Sequence, residues 1–487
     1  MTSREILAAA CVGAPTLTAA LLVLVPRRVV AVVAIAGAVA TAGAALALAT
    51  VALHGPSSPL VSDWVVVDAA AGLFVGVIGL VGLGSVLVSP AYLAGVSVSL
   101  VTEHRRARTY FILLFAFWAI LLAVPLAANL GGAWLLVEAT TAASALLVGF
   151  SGKSRALEAG WKYLILTSLG LGVALLGIVL LAAGVPAGGL SALSWHELTT
   201  YSSGRSSALV AYLLLLVGLA AKIGWAPVHN WLPDAHSEAP PPVSALLSAA
   251  LLPAVLLVAW RAEQALAPAV GVRTGQNVLI AFGLASLAVA VPFLWRSLAW
   301  KRLLAYSSLE HMGVIALGIG FATPLALAGV AVHIAGHAVA KALGFYAATP
   351  LIGHEPRASA HAVTGIARTQ PALGTSMGIS LAALAGVPPS PLLVSEVLIA
   401  AGGFQAGRAW AAAAAVVLLS LGFLGLAHAL LETIAGKSRR RDRNLAPGLR
   451  GVTALTATAV VLLAALVAAA VWLPGSDVVD ALLRGAT

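Results

Sequence analysis

Charge is scarce in this chain: only 9% of its 487 residues are Asp, Glu, Lys or Arg, against about 25% in soluble domains. With 61% hydrophobic residues and a mean hydropathy of +1.03, water is excluded as its main solvent. Cysteine is nearly missing too. Cys11 alone supplies neither a disulfide nor the four thiolates of an iron–sulfur cluster, so any electron transfer belongs to a partner. A basic face interleaved with aromatics is also lacking, which turns the net charge of +10 away from nucleic acid and toward membrane topology. No long polar stretch is available for a soluble domain. The longest connections, 186–207 and 353–369, run about twenty residues.

What is present is one apolar run after another. A helix needs about 20 apolar residues to cross the hydrocarbon core, and fourteen such runs start near Ile6, Val29, Val66, Thr109, Gly131, Trp161, Ala208, Val243, Asn277, Ala299, Pro324, Gly374, Trp410 and Val452. The first, which follows Arg4 and ends at Arg27 and Arg28, lacks the form of a cleaved signal and reads as a retained span. With both termini outside, nineteen of the 27 basic residues fall in cytoplasmic loops and six outside, while Lys222 and Lys341 stay in the bilayer. The charge run at 436–450 reads as an orientation signal in a cytoplasmic loop. The expectation is an all-α polytopic single membrane domain: helices one to three in 1–108, five-helix units in 109–262 and 277–436, and a last helix in 451–487.

Ionisable groups at mid-membrane cost roughly 2.5 to 3.5 kcal/mol each on insertion scales, so each one needs a reason. Glu138 sits in the fifth span with Thr140 and Thr141 as candidate hydroxyl partners; a protonated helix–helix hydrogen-bond donor is the bland alternative. Lys222 lies too deep in the seventh span to snorkel, so it must either find a carboxylate or give up its proton. Pro227 and Pro233 then break the helix and free carbonyls, with His229 and His236 at the break. For His236, capping of the next segment is an equal alternative, and Asp234 and Glu238 read as interfacial. Asp68, at the start of the third span, reads as an interfacial or loop-bonding residue.

The second half repeats the plan. Glu310 and His311 lie in the tenth span, and Pro388 and Pro389 break the twelfth beside Glu396. Glu138 and Lys222 are 84 residues apart, and Glu310 and Glu396 are 86. Spans four to eight and nine to thirteen therefore read as inverted repeats with discontinuous helices seven and twelve, the sequence pointer to a transport site. His333, His337 and Lys341 fall at i, i+4 and i+8 on one helical face, a stack suited to proton hopping. Metal binding by the histidine pair and polar helix packing compete with that reading. Neither a third ligand nor a HisGluXaaXaaHis arrangement accompanies the pair, so no metal site is expected.

The segment GWAPVHNWLPDAHSEAPPPVS (224–244) resembles the signature of the antiporter-like subunits of proton-pumping NADH:quinone oxidoreductase, cation/proton antiporter complexes and energy-converting hydrogenases. VEATTAASALLV (137–148), LEAGWKYLIL (157–166) and YSSLEHMG (306–313) look most like the hydrogenase-4 component F branch of formate hydrogenlyase-like complexes. The resemblance runs from Asp68 to Glu396. It implies a cofactor-free, proton-translocating subunit in a bacterial inner membrane, beside other membrane subunits and peripheral hydrogenase-like partners that carry the Fe–S and Ni–Fe centres. It implies further that Glu138 and Lys222 are a charge pair whose separation drives the lysine's proton onward, with Lys341 and Glu396 as later stations. Two departures are visible. Where complex I subunits carry a lysine in a broken eighth span, this chain has Pro253, so His333 or His337 would have to bridge the middle. The chain also ends soon after the fourteenth span, without the lateral helix of the largest complex I antiporter subunit. An antiporter subunit without redox chemistry and a degenerate structural anchor are the alternative functions.

Overall fold

The computed structural model describes residues 3–54, 62–95, 106–186, 189–352, 364–437 and 449–472. Most of the basic loop 436–450 and the first part of the 353–369 connection lie outside them. Two isolated β-bridges are the sole extended pairings among the described residues; everything else of length is helix.

The principal helices are α1 (Ser3–Leu24), α2 (Val30–His54), α3 (Ala69–Gly95), α4 (Arg106–Ala123), α5 (Leu130–Val148), α6 (Ser154–Gly184) and α7 (Arg205–Ile223). A short α8 (Leu232–Glu238) follows, then α9 (Pro241–Val270), α10 (Val272–Leu294), α11 (Trp300–Phe321) and α12 (Pro324–Ala347). The last four are α13 (Pro371–Leu384), α14 (Pro391–Gln405), α15 (Ala409–Ala435) and α16 (Leu449–Trp472). Twelve of the described helices are long and apolar enough to cross a membrane. Adding α16, and α13 with α14 as one interrupted span, accounts for the fourteen runs of the sequence.

Polar caps set the helix starts. Asn129 accepts from Gly132 N at 2.6 Å before α5, and Thr323 accepts from Ala326 N at 3.2 Å before α12. Small residues set the approach of α6 to α7: a Cβ on Gly218 would stand 2.4 Å from the Gly170 carbonyl oxygen. The apolar stretches of α9 and α11 are wholly buried, whereas only a third or less of those of α1, α6 and α15 is. The two central helices are thus shielded from lipid by a ring of outer ones.

Helix α7 stops at Gly224, whose φ of +81° is a left-handed conformation glycine adopts without strain. Residues 224–231 form the break, and Trp231 Nε1 donates back to the Ala221 carbonyl at 2.6 Å, satisfying one group that the interruption frees. Pro227 lies in this break, as expected. Pro233 does not: it occupies the first turn of α8, where a missing N–H costs nothing. Pro388 and Pro389 lie in the matching gap between α13 and α14, and Ser390 caps α14 through Leu392 N at 3.1 Å. The bonds Ala226–Pro227 and Pro388–Pro389 are both cis.

A broken eighth span, implied by resemblance, is not found. α9 is continuous because a π-helical turn at Leu247–Leu251 leads into Pro253 at the start of the next segment, which absorbs the proline without a gap. Toward the far end of α9, roughly 30 Å from its start, the buried Arg261 donates to both Asp68 carboxylate oxygens at 2.9 and 2.8 Å and to the Pro125 carbonyl at 2.7 Å. Asp68 also caps α3 through Ala71 N at 2.6 Å. It is therefore a buried ion-paired cap rather than an interfacial residue.

Candidate functional site: a buried row of titratable side chains

Lys222 occupies the last turn of α7 and is fully buried. Its Nζ donates to Thr141 Oγ1 at 2.7 Å and to the Tyr163 hydroxyl, and it lies 4.5 Å from the Tyr163 ring centre. Tyr163 in turn shares a 2.7 Å hydrogen bond with Ser144. Among the described residues no carboxylate is within ion-pair distance of Lys222. Glu138, one helical turn before Thr141 on α5, accepts instead from Ser168 Oγ at 2.6 Å, and its Oε2 has no protein partner. The hydroxyls expected for Glu138 are thus used differently: Thr141 serves Lys222, and Thr140 bonds the Val137 carbonyl at 2.5 Å.

Between the two halves stands His236, which is fully buried in α8 with both ring nitrogens unpartnered. It is no surface cap. Phe345 of α12 stacks on it at 5.4 Å, and Trp231 links it to Tyr163 through ring centres 6.4 and 4.7 Å apart. Lys341 and His337 are within electrostatic reach of it. At the place of the expected eighth-span lysine α9 has Pro253, and one turn and a half earlier Ser248 is bonded to Ser308 at 2.7 Å.

In the second half, His311 of α11 completes a triangle with the α12 face. Its ring centre is 5.1 Å from His333 and 5.2 Å from His337, while His333 and His337 are 6.5 Å apart. His311 Nδ1 and His333 Nε2 share a 3.1 Å contact, and His333 Nδ1 contacts Ser395 Oγ at 2.8 Å. One turn beyond His337, Lys341 is fully buried and donates to the Leu304 carbonyl at 2.6 Å. Glu310 is buried at 3% exposure against Gly422, where an added Cβ would sit 2.0 Å from its Oε1. Glu396 projects from α14, the second half of the broken span, and is half-buried.

His229 is not brought into this row. It lies half-buried in the seventh-span break, beside exposed Pro227. Asp234 stays at the surface, bridging Lys162 at 3.6 Å and Arg302 at 3.2 Å on the wall of a cavity of about 460 Å³ that Glu238 also lines. Nor is His333 with His337 the pair that gains a third metal ligand. One atom each from His311, His333 and Glu396 lie within 4.8 Å of one another.

Residues that spacing alone missed include Tyr163, Ser144, Ser168 and Ser395. Tyr163 and Ser168 had a usable signal, since both are polar in an otherwise apolar span.

A row of buried ionisable groups running beside two interrupted helices defines a class: polytopic membrane proteins with titratable side chains buried among their helices. Within it, this chain belongs to the family described as NADH:quinone oxidoreductase/Mrp antiporter, transmembrane, which matches residues 127–422. A hydrogenase-4 component F homolog of Methylacidiphilum infernorum is 34% identical over 297 residues, 60% of this chain; the match spans only 62% of that relative's length. An NADH-quinone oxidoreductase subunit N of Desulforudis audaxviator is 28% identical over 84% of this chain and 82% of its own. The fold is shared with a chain of the Mrp complex from a Dietzia species, at TM-score 0.85 and 22% identity over 100% of this chain and 98% of that one. An archaeal membrane-bound sulfane sulfur reductase contains another, at 0.84 and 20% over 98% and 97%.

Proposed function

We propose that this chain is a proton-translocating, cofactor-free subunit of a hydrogenase- or complex I-like membrane complex, with Fe–S and Ni–Fe chemistry confined to its partners. In the proposed orientation the face bearing Lys162, Lys301 and Arg302 is cytoplasmic, in a bacterial cell membrane with both termini outside. The observation that carries the reading is one row of buried, mostly carboxylate-free bases, Lys222, His236, His337 and Lys341, which crosses from one repeat into the other.

The steps follow from that row. Buried polar atoms need hydrogen-bond partners, and the unpartnered nitrogens of His236 and His337, with Glu310 Oε2 and Ser307 Oγ, are placed to hold bridging water. Water between bases a few ångströms apart passes protons without moving the bases. Glu138 supplies the control. It is half-buried on α5 and within electrostatic reach of Lys222, but not bonded to it. Doubling a charge separation from about 4 to about 8 Å removes about 2 kcal/mol at an effective dielectric of 20, roughly a 30-fold shift in proton occupancy. A partner subunit that displaces α5 therefore sets the direction of transfer. Glu310, His311, His333 and Glu396 are the stations beyond Lys341.

The test uses the native complex, purified through a tag on this chain and reconstituted in vesicles. Turnover of its own electron donor is expected to build a pH gradient that persists in sodium-free buffer. Copurification of no redox subunit, or turnover with no gradient, overturns the proposal; the first outcome favours an antiporter subunit and the second a structural anchor.

A further inference from the structure

Three groups that ligate transition metals, each also a station in the proposed relay, meet between α11, α12 and α14. We propose that His311, His333 and Glu396 form a tetrahedral site for a divalent transition metal ion of the zinc or cobalt class, with water in the fourth position.

The geometry is close to that of a bound ion. Two nitrogens held tetrahedrally at about 2.05 Å stand about 3.3 Å apart, and His311 Nδ1 and His333 Nε2 are 3.1 Å apart. The carboxylate is within 4.8 Å of both, so a side-chain adjustment of at most about 1.5 Å closes the site. Orientation is prepared as well. Ser395 Oγ donates its proton to the Leu392 carbonyl at 2.7 Å, so it accepts from His333 Nδ1–H at 2.8 Å. That bond leaves the His333 Nε2 lone pair aimed into the cluster, the tautomer a metal needs.

Charge balance points the same way. A dication at this depth needs two negative charges nearby. Glu396 is a ligand, and Glu310, the residue before His311, carries a buried Oε2 without a protein partner. Lys341 donates from its Nζ to the Leu304 carbonyl. Two imidazoles and a carboxylate favour zinc or cobalt over sodium or calcium, which prefer all-oxygen cages. Entry is provided by a cavity of about 370 Å³ that Glu396 lines with Gly386, Pro388 and Phe423. Once seated, the ion holds the lone pairs on which proton passage depends, so it acts as a plug.

Cobalt(II) titration of the purified protein in nanodiscs tests this directly, because tetrahedral cobalt absorbs strongly in the visible. One equivalent is expected to give that band. Glu396→Gln should abolish it, and Ser395→Ala, which removes only the hydroxyl holding His333, should weaken binding by about tenfold while keeping the band. The exposed His428 and Glu432, 3.5 Å apart at i, i+4, are the competing surface site, so His428→Asn should change nothing. Absence of the band, its survival in Glu396→Gln, or its loss in His428→Asn each overturns the proposal. Because the readout is binding, the result stands apart from whether protons move.

Discussion

Replacing Lys222 by alanine is expected to cut the pH gradient formed per turnover of the native complex by about 100-fold or more, the usual effect of removing a positioned proton carrier. Two hydroxyls, from Thr141 and Tyr163, hold the ammonium, so its loss leaves neutral groups that can bond each other or water. The complex should therefore assemble. Lys222→Arg separates carriage from charge. A guanidinium keeps the positive charge but does not release a proton in proteins, so arginine should be as inactive as alanine. A working arginine variant would make Lys222 a fixed charge and remove it from the row.

The second large effect concerns stability rather than transport. Asp68→Ala is expected to destabilise the protein by about 3–5 kcal/mol, because Arg261 is left as a buried charge without its carboxylate. Loss of the α3 cap adds about 1 kcal/mol. The Asp68→Leu, Arg261→Leu double variant should recover much of this, since removing both charges also removes the desolvation burden. SDS titration in mixed micelles measures both. A double variant as unstable as the sum of its singles would show that the pair itself is not what matters.

Much of this architecture is legible in one sequence because lipid imposes it. Long apolar runs must be helices there, and buried charges stand out against them. The prolines act in two ways. Pro227, Pro388 and Pro389 mark real interruptions, but Pro233 opens a helix and Pro253 is absorbed by a π turn. Both positions exploit a missing N–H that no other residue demands. Local spacing also could not give partners across helices. Thr141 and Tyr163 stand 81 and 59 residues from Lys222, and only the packing of α5 and α6 on α7 brings them in. For His236 the sequence leaves capping and proton exchange equally open; the structure buries it, with Phe345 of α12 stacked on its ring. The Glu138–Lys222 pairing is implied by resemblance; in the structure the two are not in direct contact, Ser168 bonding Glu138 while Thr141 and Tyr163 bond Lys222.

His236 is also where continuity across the two repeats is decided. The most direct measurement is the number of protons moved per electron pair by the reconstituted native complex with His236→Leu, which fills the site without a titratable group. A single row through both halves predicts that proton movement falls at least about tenfold while the complex stays assembled. An unchanged proton count, or one that merely halves, would mean that the two repeats conduct separately and would contradict the account.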